Sequence, residues 1–157
     1  MTAPLTLRTA TPGDADQIAR FRRLMFTDMG GHDPDALAQL EIDFRAWVKP
    51  KLETGRYFGW LALNDEGEII GSAGVWLMAW PPHPADLSQR RGHVMDVYVR
   101  PEYRRRGIAR QLMGAIMNWC VAQGITTVTL NASDQGRPLY ESMGFNTTNL
   151  LSKQIKR

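Results

Sequence analysis

Three arginines, Arg104, Arg105 and Arg106, stand directly before Gly107 in the stretch PEYRRRGIAR, where an apolar helical pattern begins. The first N–H groups of a helix have no carbonyl partners, and the aligned peptide dipoles add positive potential at that end. A glycine lets an anion approach such a backbone closely, and nearby arginines add forked, charge-assisted hydrogen bonds to phosphate oxygens. The residues from Arg104 to Arg110 therefore read as a phosphate-binding turn, set against the plainer reading of a solvated charge run. Their spacing is neither that of a P-loop, which needs a Lys-Ser/Thr pair, nor the three glycines of a dinucleotide-binding turn.

The elements that must position this turn follow from periodicity. A short strand through Leu5 and Leu7 precedes a helix opening near Thr11 and Pro12, with Asp14 and Asp16 in its first turn and Ile18, Phe21, Leu24 and Met25 at helical spacing. Gly30 and Gly31 end it, and a second helix from Asp33 or Pro34 carries Leu37, Leu40, Phe44, Trp47 and Val48 before stopping at Gly55. Residues 57–63 and 68–80 read as a hairpin around the turn at 64–67, with Gly71 and Gly74 weakening the second strand or marking bulges. The three prolines of residues 81–92 predict a stiff loop, and residues 93–100 a strand that runs into the arginines. A helix over residues 107–123, a β-branched strand over 125–130, a short helix over 137–143 and one or two weak strands after Phe145 complete the chain. The strand-helix-strand unit over residues 93–130 predicts a right-handed parallel crossover inside an otherwise antiparallel, mixed sheet, an α/β arrangement that takes ligands at its strand C-terminal ends.

The whole chain sets limits on the chemistry. Its 157 residues, 43% hydrophobic and 22% charged, suit one soluble domain over residues 1–157. No apolar run approaches the roughly 20 residues of a membrane span, and the start lacks a signal-like core, so a cytoplasmic protein without a membrane partner is expected. The single cysteine, Cys120, excludes an internal disulfide framework or a cysteine-based metal cluster and reads as a small buried hydrophobe. His32 and His83 lie in presumed loops without carboxylates at ligand spacing, so no metal is expected. The arginines are too compactly placed for the many phosphates of nucleic acid, and none is expected as a partner.

Residues 97–109, VYVRPEYRRRGIA, resemble the fourth strand and following turn of the GNAT superfamily of acetyl-CoA-dependent N-acetyltransferases, V-x-V-x-P-x-(Y/F)-R/Q-x-x-G-x-G/A. Asn131 after the next strand and then LYESMGF at residues 139–145, similar to the family's L-Y-x-x-x-G-F, continue the resemblance. It covers about residues 95–145, matches the N-terminal third only in element order, and has Ala109 where a second glycine is commoner.

The resemblance implies a GNAT-like fold and acetyl-CoA as acetyl-donor cosubstrate. Its pyrophosphate would lie on the turn of Arg104, Arg105, Arg106, Gly107, Ile108, Ala109 and Arg110, and its pantetheine arm along Val97, Tyr98 and Val99. A backbone N–H near Val97 would bond the thioester oxygen as negative charge gathers there. Tyr140 matches the tyrosine that protonates the departing thiolate, and Asn131 either holds the pantetheine arm or caps the next turn. His93 falls where family members place a base that takes the proton of the attacking amine; Asp96 is the runner-up, although strand alternation puts it on the other face unless a bulge intervenes, and water is a third. The acceptor, a small-molecule or peptide amine, would meet residues 26–32 and the loop at 81–91, where Asp28, Asp33 and Asp96 could attract a cation. The rival function is an acyl-CoA-binding sensor without turnover, and a homodimer through a sheet edge or the C-terminal segment is expected.

Overall fold

The structure, a computed structural model, describes residues 5–156. Five strands form one sheet in the order β1 (Thr6–Thr9), β2 (Tyr57–Leu63), β3 (Ile69–Ala79), β4 (Arg90–Val99) and β5 (Val128–Leu130). Neighbours are antiparallel except β4 and β5, which the crossover helix α3 (Ile108–Ala122) makes parallel, as the strand-helix-strand pattern predicts. Helices α1 (Ala15–Met29) and α2 (Pro34–Thr54) cover one face of this sheet, and α3 covers the other.

Each face is closed by residues at helical spacing. On α3, Ile108, Leu112, Met113, Ile116 and Cys120 are buried against Val75, Val94 and Val99 of the sheet. On the opposite side Ala15, Ile18 and Ala19 of α1 and Phe44 and Val48 of α2 meet Tyr57 and Leu61 of β2. Burying side chains of this size contributes roughly 1.5–3 kcal/mol each, which fixes the helices against the sheet more firmly than their intrinsic propensity does. Asp33 caps α2, its side chain accepting from the Ala36 N–H at 3.2 Å, and left-handed Gly55 ends it.

Three boundaries differ from expectation. Strand β4 begins at Arg90 rather than His93, because Arg90, Arg91 and Gly92 pair with Ala79, Met78 and Leu77 and leave the loop shorter. Strand β5 keeps only Val128–Leu130 of the expected residues 125–130. After the short helix α4 (Arg137–Ser142), residues 146–156 form no strand: they are exposed and make no sheet pairing, so the expected C-terminal strands are absent among the described residues. No helix among the described residues is long and apolar enough to cross a membrane.

Candidate active site

Strands β4 and β5 are paired only at Gly92 with Val128, His93 with Thr129 and Val94 with Leu130. Beyond that point they part, and a cleft of about 910 Å³ opens at their C-terminal ends. One wall is Val97, Tyr98 and Val99 of β4; the other is Ala132, Ser133 and the α4 residues Leu139 and Tyr140. The start of α3 forms one end, and Met25, Asp28 and Met29 of α1 overhang it.

The end of the cleft at α3 is built from backbone. A 3-10 turn at Pro101–Tyr103 leads from β4 to the arginines, and Arg105 and Gly107 both take left-handed conformations, with φ of 63° and 78°. The first intrahelical bond of α3 runs from Gln111 N–H to the Gly107 carbonyl at 3.1 Å, so the N–H groups of Ile108, Ala109 and Arg110 have no helical acceptor. Gly107, Ile108, Ala109 and Arg110 all line the cleft. Exposed Arg105 borders it too. Arg110 is tied to α4, its guanidinium donating to Ser142 Oγ at 2.9 Å. Arg104 is committed to the protein: its Nε donates to the Val99 carbonyl at 2.8 Å, and it pairs with Asp28 of α1 at 2.6 Å. Arg106 lies outside the lining, its guanidinium over the Tyr103 ring at 5.4 Å.

The wall formed by β4 is shaped by a bulge. The β3–β4 register passes from Ser72 opposite Tyr98 to Gly74 opposite Met95, so two residues of β4, Asp96 and Val97, face the single Ala73. Asp96 has φ of 61°, left-handed for a residue with a side chain. This bulge sits on β4; a second irregularity, in the β2–β3 pairing, leaves Ile70 unmatched beside Gly71, whereas the role of Gly74 is spatial, since a Cβ there would lie 2.0 Å from the Tyr57 hydroxyl oxygen. Through that gap Tyr57 donates to Asp96 Oδ2 at 2.8 Å, and Arg22 of α1 pairs with Oδ1 at 2.8 Å. Asp96 thus turns to the face of α1 and α2, the same face as His93 and Met95, and is 2% exposed. Burial pushes its carboxyl above the usual range, opposed by Arg22 and Tyr57. Burial and the Asp96 charge push the Tyr57 phenol well above its ordinary value.

Two further groups can move protons. Tyr140 lines the cleft, edge-on to Phe145 with centroids 6.2 Å apart, and burial alone raises its phenol above the ordinary value. Gly136, one turn earlier, leaves space for that ring, since a Cβ there would lie 2.8 Å from Tyr140 Cε2. His93 is half-buried beside the paired part of β5, its Nδ1 in a hydrogen bond with Thr129 Oγ1 at 2.8 Å, which leaves Nε2 as the nitrogen that can meet a ligand. Burial, then the guanidinium groups of Arg22 and Arg91, hold its imidazole below the ordinary range, so it is neutral at pH 7. His93 is not part of the cleft lining, and neither is Asn131, whose exposed position precedes the lining residues Ala132 and Ser133.

The cleft therefore gathers Val97, Tyr98, Val99, Arg104, Arg105, Gly107, Ile108, Ala109, Arg110 and Tyr140, and sets His93 apart on the neighbouring face of β4. Sequence reading missed Arg22 and Tyr57, which hold Asp96, and the cleft-lining residues Ala132, Ser133 and Leu139. Arg22 had a signal, since it lies four residues after Ile18 on the apolar side of α1 and a charge on such a stripe needs a buried partner. Tyr57 had none, being one more aromatic residue in an apolar strand.

A model of the acetyltransferase (GNAT) family matches residues 18–145. The N-acetyltransferase YycN of Bacillus subtilis is 30% identical over 108 residues, 66% of this chain and 65% of that protein, so the chain spans just under two thirds of this curated relative. The crystal structure of a GCN5-related N-acetyltransferase from Ralstonia eutropha superposes with a TM-score of 0.91 at 35% identity, covering 97% of this chain and 99% of that one. A predicted acetyltransferase from Clostridium acetobutylicum, solved with acetyl-CoA, shares the fold at a TM-score of 0.88 and 23% identity over 97% and 96% of the two chains. With the parted strands, the open helix start and the match over most of its length, the chain belongs to the GNAT acetyltransferase family.

Proposed function

We propose that this protein transfers an acetyl group from acetyl-CoA to a primary amine by direct attack within a ternary complex. The observation that carries the reading is the cleft between parted strands, with free helix N–H groups at one end and Tyr140 on its wall. An extended arm with a phosphorylated end fits that shape: the N–H groups of Ile108 to Arg110, with Arg105, would hold the pyrophosphate, and Val97 to Val99 the arm. The relative solved with acetyl-CoA supports the choice of donor. When bound, acetyl-CoA supplies an activated acetyl thioester.

The residues of this chain would then divide the work. The Val97 N–H, turned by the bulge at Asp96, offers a hydrogen bond where negative charge gathers on the thioester oxygen. Tyr140 gives its phenolic proton to the departing sulfur, a role for which its raised affinity for that proton keeps it neutral and protonated at neutral pH. His93 Nε2 takes the proton lost from the amine as the C–N bond forms and the C–S bond breaks, directly or through water. An alkylamine near pKa 10.4 is about one part in a thousand neutral at pH 7, so this proton needs a destination. A reducing compartment, the cytoplasm, suits the buried free thiol of Cys120.

The test is thiol release from acetyl-CoA by the purified protein across a panel of amines. Amine-dependent release is expected, with Tyr140→Phe lowering kcat by about 10²–10⁴-fold, the usual contribution of a positioned acid. Binding of acetyl-CoA without release to any amine would instead make the protein an acyl-CoA sensor.

A further inference from the structure

We propose that the acceptor carries an anionic group, a phosphate or carboxylate, a short distance from its amine, and that Arg91 on the α1/α2 side of β4 receives it. This deepens the acetyltransferase reading, from which it takes only the position of the amine beside His93.

Arg91 is the charge on that face without a counter-charge. Its guanidinium carbon lies over the Trp80 ring, 3.6 Å from the centroid, and its Nε is buried with no hydrogen-bond partner. Among the described residues no carboxylate forms an ion pair with it. A stacked arginine keeps its fork in a fixed plane, the geometry that matches two oxygens of a phosphate or carboxylate.

The three acids that could have drawn a cationic acceptor are all engaged. Asp28 pairs with Arg104, Asp33 caps α2, and Asp96 is held between Arg22 and Tyr57. The face of β4 beside His93 is consequently cationic, and both Arg22 and Arg91 bear on the imidazole. Polyamines and other acceptors with several positive charges are disfavoured there.

The spacing sets the size of the acceptor. Arg91 and His93 are two residues apart on one strand, so their side chains share a face and spring from Cα positions about 7 Å apart. An amine at His93 Nε2 with its anion on Arg91 is a compact metabolite such as an amino-sugar phosphate or an acidic amino acid. A long peptide lysine does not require this anion.

The experiment reads the His93 ring by NMR in the native protein with CoA present. The three histidines are assigned with a His93→Asn variant. Glucosamine 6-phosphate and glutamate are titrated in parallel with glucosamine and spermidine. The anionic amines are expected to move the His93 resonances and raise its pKa, because a bound anion offsets the Arg91 charge; glucosamine and spermidine are expected to bind at least about tenfold more weakly. Arg91→Ala should weaken the anionic amines about tenfold or more, and Arg91→Lys, which keeps the charge and loses the fork, should restore only part of that. Equal responses to spermidine and to the phosphate, no response to either anion, or an undiminished response in Arg91→Ala would overturn the proposal. The readout needs no turnover: anion binding with no thiol release would refute the transferase reading alone, and turnover of cationic amines indifferent to Arg91 would refute this inference alone. Which anionic amine responds at lower concentration tells phosphate from carboxylate.

Discussion

His93 is the residue whose environment makes the sharpest statement about pH. Its folded form binds a proton less tightly than the unfolded chain does, because burial and two guanidinium groups disfavour the imidazolium. In kinetic terms the basic form persists below the ordinary histidine value of about 6.5, so the acidic limb of kcat/KM should lie beneath it. Arg91→Ala removes one of the opposing charges and should move that limb upward, and His93→Ala should abolish it, both measured as a pH–rate profile on one acceptor. In stability terms the unfolded state gains its proton first as pH falls, so the contribution of His93 to folding is present above the ordinary value and declines as pH drops through it. The candidate base was legible at this scale through the family resemblance, which places a base at this distance before Gly107. The counter-charges were not, because Arg22 reaches the site from 71 positions earlier in the numbering and only the packing of α1 on the sheet brings it there.

Among elements, β4 carries the heaviest constraint, since a residue with a side chain is held left-handed in an interior strand. Four residues from three elements meet at Asp96: Arg22 and Tyr57 at its carboxylate, Ser72 donating to its carbonyl at 3.3 Å, and Gly74 leaving room for the tyrosine. Tyr57→Phe strips one hydrogen bond from a buried carboxylate and should cost about 1–3 kcal/mol in chemical denaturation. Asp96→Gly and Asp96→Ala both remove the carboxylate, but only glycine accepts this backbone freely. The left-handed geometry costs alanine about 1–2 kcal/mol. The extra freedom of glycine in the unfolded chain returns about 0.5–1 kcal/mol of that. The glycine variant should therefore be the more stable by up to about 1.5 kcal/mol, and should keep more activity because the direction of the Val97 N–H survives. Equal stability and activity for the two would mean that the left-handed turn is incidental. Element order, the parallel crossover and the turn before α3 were legible from periodicity and from Gly107; the bulge was foreseen only as a condition for Asp96 to face His93. Its position could not be read from Gly71 and Gly74, because a strand glycine marks close approach as readily as a bulge: Gly74 marks approach, and Gly71 adjoins a different irregularity, in the β2–β3 pairing.

At the scale of the whole molecule, stability resides in the two packed faces of the sheet, and the last residues stand outside both. Leu150, Leu151 and Ile155 are 78%, 92% and 84% exposed, and residues 146–156 carry no regular structure. Truncation after Phe145 should shift Tm by less than about 2 °C, in line with surface changes of about half a kcal/mol in a chain of this size. A drop of several degrees would show that the tail is covered in an assembly. One or two weak strands are expected there from the sequence, but a strand forms only where a neighbour accepts its hydrogen bonds, and that neighbour lies beyond what local pattern encodes.

The parting of β4 from β5 has one more consequence. Past Val94, an interior strand presents toward β5 the bare peptide edge usually found only at the rim of a sheet, the kind of edge that recruits stray strands and seeds aggregation. Here the notch is overhung by α1 and faced by α4, and the Arg104–Asp28 pair ties α1 to the turn beside it. A slender extended ligand can slip in, whereas a pleated strand with side chains on both faces meets those helices, so the molecule keeps an adhesive edge open to such a ligand without offering it to other chains.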